Sequence, residues 1–200
     1  LLRRILAVVA VLGFLCPLPA QAALPPQETI KEFYAQLVAT MKEGKELGFK
    51  GRFEKLAPAV QAAYNMPIMT RLAVGSSWAA ASPKEQADLI TAFTNFSVAN
   101  YASRFASYDG EVFTVIKNTP SPNNVIVETE LKPATGDVVT LNYLMKPDEK
   151  GKFRIIDVFM NGTISELATR RSEFSSIARR EGIQSLINSL EGKAKQMGNQ

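Results

Sequence analysis

The chain has 200 residues, 46% hydrophobic, 21% charged and 8% aromatic, the values of one globular domain rather than a disordered, collagenous or coiled-coil chain. It has no histidine and a single cysteine, which excludes imidazole general bases, most hydrolase triads, intrachain disulfides and Cys/His zinc sites. The formal net charge of +4 bears on partners, not on fold.

Residues 1–22 read as a secretory signal peptide. Arg3 and Arg4 precede an apolar run over residues 5–15, and Ala20-Gln21-Ala22 supplies a small-x-small cleavage site. As a helix that run spans only about 16 Å, against roughly 30 Å for a bilayer core, so a membrane anchor is the weaker reading. Pro17 and Pro19 break it further. The bulky Leu15 before Cys16 argues against lipoprotein processing. Cleavage after Ala22 removes 22 of the 200 residues and leaves 178, with 21 Lys+Arg against 19 Asp+Glu, a net charge of +2 and no cysteine. An exported chain of this size is expected to be held by its core alone and to meet no nucleic acid.

Pro25 and Pro26 open a helix expected to reach about residue 43, with Ile30, Phe33, Leu37 and Met41 at helical spacing and Gly44 and Gly48 ending it. A second helix is expected over residues 52–64, bent near Pro58, and a third over residues 67–74, stopping at Gly75. Ser82-Pro83-Lys84-Glu85 combines a Ser N-cap, a Pro at the first helical position and a Glu three residues after the cap. The helix it starts is expected to be the longest element, running to about residue 107 with Leu89, Phe93, Phe96, Tyr101, Phe105 and Tyr108 in its apolar series.

The period then changes. Residues 111–117, 124–132, 137–146 and 153–160 are rich in Val, Ile, Thr, Phe and Tyr and are separated by short turn-forming spacers, which predicts antiparallel hairpins. In the second strand Val125, Val127, Thr129 and Leu131 alternate with Glu128, Glu130 and Lys132, so one face of the sheet is wet. Helical period returns after Gly162. Thr163-Ile164-Ser165-Glu166 reads as a capping box and Ile164, Leu167, Phe174 and Ile177 as one stripe. After Gly182, residues Ile183, Leu186, Ile187 and Leu190 predict a last short helix, followed past Gly192 by a polar, loose tail. Helices, then four strands, then helices make an α+β fold with a four-stranded antiparallel sheet.

No nucleophile elbow, phosphate loop or dinucleotide fingerprint is present. Asp157 is the most unusual carboxylate, because it interrupts the apolar run 153–160. Paired with Tyr143 it would give an acid/base site. The competing reading is structural: an Asp bonded to backbone amides or paired with Arg170 or Arg171. Arg170-Arg171 and Arg179-Arg180 make the C-terminal helix basic, which suits a solvated face first and anionic headgroups or a membrane partner second. The long aromatic series leading into the sheet leaves a lipid-lined cavity open beside an ordinary core.

Three blocks carry a family resemblance. They are Leu72-Ala-Val-Gly-Ser-Ser-Trp78 followed by Ala81-Ser-Pro-Lys-Glu-Gln86 and the aromatic helix to Tyr108-Asp-Gly110; Phe153-Arg-Ile-Ile-Asp157-Val-Phe-Met-Asn-Gly162-Thr-Ile-Ser165; and the ending Gly182-Ile-Gln-Ser-Leu-Ile-Asn-Ser-Leu190. Together they resemble the MlaC, or toluene-tolerance, family of periplasmic lipid carriers, and the C-terminal part resembles its hopanoid-associated branch, HpnM. Asn65-Met66 and Phe153-Arg154 depart from the family's common residues. The resemblance implies a cone-shaped fold around an apolar lipid cavity, formed by residues 23–192 with a polar tail at 193–200. It implies a soluble, monomeric periplasmic shuttle carrying hopanoid or phospholipid between the membranes of a Gram-negative bacterium. The expected partners are an RND-type or ABC/MCE-type inner-membrane transporter and an outer-membrane acceptor, with no cofactor or metal.

Physics supports the need for such a carrier. A lipid with two 16-carbon chains hides roughly 30 CH₂ groups at about 0.8 kcal/mol each, so free passage through water is prohibitively rare. On this reading one sheet face and the long helix line the pocket: Val139, Leu141, Tyr143 and Met145 from the third strand, Ile156, Val158 and Met160 from the fourth, and Tyr101, Phe105 and Tyr108 from the helix. The alternatives are a small α+β enzyme working through Asp157 and Tyr143, and a module that binds only protein.

Overall fold

The computed structural model describes residues 25–199. The signal-peptide reading and Cys16 lie outside the described residues. Helix α1 (Pro26–Lys42) has Pro at its first position and buries Ile30, Phe33, Tyr34, Leu37 and Met41, the stripe its spacing predicts with Tyr34 added. Gly44 starts α2 (Gly44–Ala63) instead of a loop, with Glu43 serving as C-cap of one helix and N-cap of the next. A side chain at Gly44 would run into the backbone carbonyl of Ala106, so only glycine lets the two segments meet there. The helix break falls at Gly48 (φ 59°, ψ −178°), while Pro58 sits within helical backbone. Helix α3 (Met66–Val74) is capped by the Asn65 side chain and stops at Gly75 (φ 70°), after which Gly75–Ala80 forms a 3₁₀ helix.

The Ser82 box is present as predicted: Ser82 Oγ accepts from Glu85 N–H and Glu85 accepts from Ser82 N–H at 2.8 Å. Helix α4 (Pro83–Arg104) has 22 residues, about 33 Å, and ends three residues earlier than expected. The buried Arg52 explains the end. It donates from Nε to Ala102 O and from Nη1 to Gly44 O, both at 2.7 Å, so it captures a terminal carbonyl of α4 and ties it to the start of α2. Phe105 and Tyr108 therefore lie on the segment leading into the sheet, not on the helix.

The sheet has five strands rather than four, in the order β1 (Val112–Ser121), β2 (Asn124–Lys132), β3 (Val139–Pro147), β4 (Phe153–Met160) and β5 (Ile164–Ser165), all antiparallel neighbours. The β1–β2 turn is only Pro122-Asn123, with Asn123 at φ 60°, and Pro120 is tolerated because β1 is an edge strand. Val125, Val127, Thr129 and Leu131 face inward opposite Met145, Tyr143, Leu141 and Val139. Two β-bulges interrupt this pattern. One lies between Val115 and Lys117. The other makes Leu144 pair Asp157 and Met145 pair Ile155, which leaves Ile156 as the extra residue.

Helix α1 packs across the inner face, against β1, β2 and β4. Helix α4 packs on α2, α3 and α6. Helix α5 (Glu166–Glu181) is capped by Ser165, not Thr163, because Ile164–Ser165 pairs with β4 before the helix starts. Gly182 (φ 87°) separates it from α6 (Ile183–Gly198). Helix α6 continues six residues past Gly192, where a loose tail was expected, and Met197 packs against the core. Among the described residues no helix is long and apolar enough to cross a membrane.

Candidate functional site

Because α4 rests on other helices and not on the strands, a space is left between it and the inner face of the sheet. A cavity of about 290 Å³ occupies that space, walled by the sheet, α1, α4 and the start of α5. From the sheet it receives Leu131, Val139, Leu141, Tyr143, Val158 and Met160; from α4 and its exit, Phe93, Phe96, Tyr101 and Phe105.

Seven of the ten residues expected from the sequence thus share one wall system: Tyr101, Phe105, Val139, Leu141, Tyr143, Val158 and Met160. Three do not line it. Met145 is wholly buried in the core beneath the cavity, opposite Ile155. Ile156 is displaced by the bulge, and Ile155 takes the inward place that strict alternation gives to Ile156. Tyr108 lies past the end of α4, where Lys42 Nζ sits 5.2 Å from its ring centroid. The sequence reading missed Tyr34 and Leu37 of α1, Phe113 of β1 and Arg104, and it named Arg170 only as part of a basic helix that could meet anionic headgroups. Tyr34 adjoins the predicted α1 stripe, and Phe113 pairs with Leu131 on the inward face.

The apolar walls carry a set of buried hydroxyls. Tyr34 Oη donates to Tyr143 Oη at 3.0 Å and lies 2.7 Å from Thr129 Oγ1, which also donates to Leu141 O at 2.7 Å. Tyr64 and Tyr101 hydrogen-bond to each other through their hydroxyls. Burial disfavours every phenolate here. It pushes the Tyr34 hydroxyl up to about 12 and holds those of Tyr64, Tyr101 and Tyr143 well above the usual tyrosine value. All four remain protonated at neutral pH.

Polar groups gather where α4 meets α5: Ser97, Asn100, Arg104, Glu166 and Arg170. The Arg170 guanidinium lies 5.0 Å from the Phe96 ring centroid and pairs with Glu166 at 3.5 Å and Glu173 at 3.9 Å. Arg104 is exposed and makes no ion pair among the described residues. The arginines of α5 do not act as one basic face. Arg170 turns to the cavity, Arg179 donates to its own helix at Ser175 O, and Arg180 pairs with Glu181.

Asp157 takes the structural role. Its carboxylate accepts from Val158 N at 2.7 Å, Ser165 Oγ at 2.6 Å and Leu167 N at 3.0 Å, which ties the end of β4 to the first turn of α5. Tyr143 pairs with Val158, the next residue along β4, so the Asp157 and Tyr143 side chains leave opposite faces of the sheet. They do not form a dyad.

Other clefts are present among the described residues, two of them of similar size. One of about 420 Å³ is lined by Gln61, Tyr64, Asn65, Met66, Ile90 and Arg154 among others. The Arg154 guanidinium there is already engaged by Asp148 and by the carbonyls of Gln61 and Ala62. The other, about 310 Å³ between α1 and α2, is lined partly by alanines. Neither carries the set of aromatic side chains, Phe93, Phe96, Phe105 and Phe113 among them, that walls the cavity between α4 and the sheet.

Comparison with known proteins supports the fold reading. A phospholipid-binding protein from Ralstonia solanacearum, solved in complex with a phospholipid, superposes with a TM-score of 0.75 at 19% identity, over 87% of this chain and 99% of that one. No curated protein matches. The family description "MlaC protein" matches residues 31–192, most of the described structure, and with the helix-roofed sheet beneath it the chain belongs to the MlaC family.

Proposed function

We propose that this protein is a soluble periplasmic lipid carrier. It takes a membrane lipid into the cavity between α4 and the sheet and moves it between the inner and outer membranes. The observation that carries this reading is the cavity itself: an apolar chamber walled by Leu141, Val158, Met160, Phe96 and Phe105, with Arg104 and Arg170 at one side. Apolar walls lower the cost of moving chains through water, and a charged rim of Arg104, Glu166 and Arg170 suits a polar headgroup that stays near solvent. The family and the phospholipid held by the Ralstonia protein support the same ligand class. Export through residues 1–22 fits a family that is periplasmic in general. Hopanoid and phospholipid are the two candidate cargoes, and a transporter in the inner membrane, of RND or ABC/MCE type, with an acceptor in the outer membrane, are the proposed partners.

Mass spectrometry of organic extracts from freshly purified mature protein tests the reading. A membrane lipid near one equivalent per chain is the expected result. Folded protein that carries no lipid and extracts none from vesicles would refute it. The enzyme reading is not favoured, because the carboxylate it needs is fully engaged in joining β4 to α5.

A further inference from the structure

We propose that the end of α3, the 3₁₀ turn after it and the adjoining side of α5 form a docking surface for anionic lipid bilayers. Arg71, Arg171 and Arg179 supply the charge, and Trp78 and Leu72 are the interfacial anchors. None of the five lines the cavity, so the proposal does not depend on what the cavity holds.

Charge accounting carries the argument. Between Glu54 and Glu85 the chain has no acidic residue, so α3 and the 3₁₀ helix present none. In α5 the only acid between Glu166 and Glu181 is Glu173, and it is taken by Arg170 and Lys193. Arg71 and Arg171 are exposed and have no ion pair or side-chain hydrogen bond among the described residues. Arg179 donates to Ser175 O, which leaves its charge without an acidic partner there. The fold brings these cations to one place. Gly75 N–H donates to Arg71 O, one helical turn back. Helix α5 lies so close to Gly75 that a Cβ built there would be 3.8 Å from Ser175 Cβ and 4.0 Å from Arg171 Nε. Ser175 stands one turn after Arg171 and one turn before Arg179 on the same side of α5. A cluster of cations with no acid beside it raises the local potential and attracts an extended anionic surface.

The apolar residues beside the cluster suit a bilayer. Leu72 is 37% exposed. Trp78 is the chain's single tryptophan. Its ring packs partly on the core, and its indole N–H has no partner among the described residues. An aromatic ring with an apolar body and a free polar edge is the side chain that membrane interfaces favour. A stable protein interface covers about 800 Å² a side around a desolvated apolar core. Here Gly75, Ser76 and Ser77 separate the two anchors and Ala79 and Ala80 follow them, so there are shallow anchors and cations but no such core.

The test mixes purified mature protein with vesicles of phosphatidylcholine alone or with an equal part of phosphatidylglycerol, and separates bound protein by flotation. Trp78 fluorescence is followed in parallel and reads this surface alone, because no other tryptophan is present. The expected result is flotation with the phosphatidylglycerol vesicles and a blue shift of Trp78. Little should float with phosphatidylcholine, and binding should be lost at 1 M salt, where the Debye length falls to about 3 Å. Each arginine near an anionic surface strengthens binding about fivefold, so Arg71→Gln/Arg171→Gln should bind about 25-fold more weakly. Lys45→Gln/Lys150→Gln makes the same change in net charge on other elements and should bind like the unmodified protein. Thermal midpoints confirm that both variants are folded, and the unmodified protein decides alone where one is not. Flotation with neither vesicle overturns the proposal and leaves an acidic protein as the partner of these arginines. Flotation with an unshifted Trp78, or equal weakening by the two double variants, also overturns it. Lipid uptake without flotation sinks this proposal and spares the carrier reading, whereas flotation by protein that takes up no lipid does the reverse.

Discussion

Asp157 gives the sharpest single test, because the structural and the chemical readings of this residue predict opposite orders of effect. The carboxylate is 7% exposed and accepts three hydrogen bonds, two from backbone N–H groups and one from Ser165 Oγ. Asp157→Ala removes every acceptor at once. A hydrogen bond to a charged group contributes about 1.5–3 kcal/mol, but Ser165 and Leu167 are half-buried and regain water once the carboxylate is gone. A net loss of about 3–4 kcal/mol follows. Asp157→Asn keeps Oδ1 for both backbone donors and turns Nδ2 toward Ser165 Oγ, which still accepts from Ala168 N. Only the charge and the Ser165 proton's acceptor are lost, about 1–2 kcal/mol. For a domain of this size each kcal/mol moves the thermal midpoint by about 2–4 °C, so Ala is expected to melt about 6–16 °C lower and Asn about 2–8 °C lower. Circular dichroism melts of both variants, with lipid content measured well below the midpoint, give the readout. Lipid content should stay at the unmodified level in both. An Asn variant with an unchanged midpoint and abolished function would refute the reasoning and make the carboxylate a reactive group.

Leu141→Arg places a guanidinium among the cavity walls, and lipid recovered from the folded variant should fall more than about tenfold; full loading would place the ligand elsewhere. The folded-state value of Tyr34 lies at about 12, above the ordinary tyrosine value of 10, so its stabilising contribution is complete below pH 10 and is lost as pH rises toward 12. Ultraviolet titration should therefore show the cavity tyrosines ionising only above pH 10 and together with unfolding, and ionisation near pH 10 with the fold intact would contradict it. Gly44→Ala should cost about 1–3 kcal/mol in urea unfolding, because its methyl group meets the Ala106 carbonyl. N-terminal sequencing of exported protein should begin at Ala23, and recovery of residues 1–22 in a membrane fraction would exclude cleavage.

Local signals in the sequence announced most of the elements and missed what distant contacts decide. The Ser82 box, the Gly75 stop and the alternation of β2 are each complete within a few residues, so they could be read directly. The end of α4 could not. The apolar series runs on through Phe105 and Tyr108, but Arg52, 50 residues earlier in the chain, captures the Ala102 carbonyl and fixes where the helix stops. Bulges are the second blind spot. In Arg154-Ile155-Ile156-Asp157 two adjacent isoleucines offer both phases of alternation, and the bulge buries both, so the inward residue is Ile155. Tyr34 belongs to the site only because α1 crosses the sheet, a fact held in no local pattern. Helix α6 extends past Gly192 because Met197 packs against the core and Gly198 lies over Phe49 of α2.

The packing shows which walls of the cavity, about 290 Å³, are least costly to separate if a lipid with two 16-carbon chains, roughly 30 CH₂ groups, enters it. Helix α4 is held by α2, α3 and α6, and those contacts survive if the helical layer moves away from the sheet as a unit. Helix α1 spans both layers. Its polar ties to the sheet include Asn118 Nδ2 donating to Gln27 Oε1, Thr29 Oγ1 donating to Phe153 O at 3.2 Å and the Tyr34 hydroxyl against Thr129 and Tyr143. Of these only the Tyr34 contacts belong to a residue that lines the cavity, so widening the chamber there stretches them first.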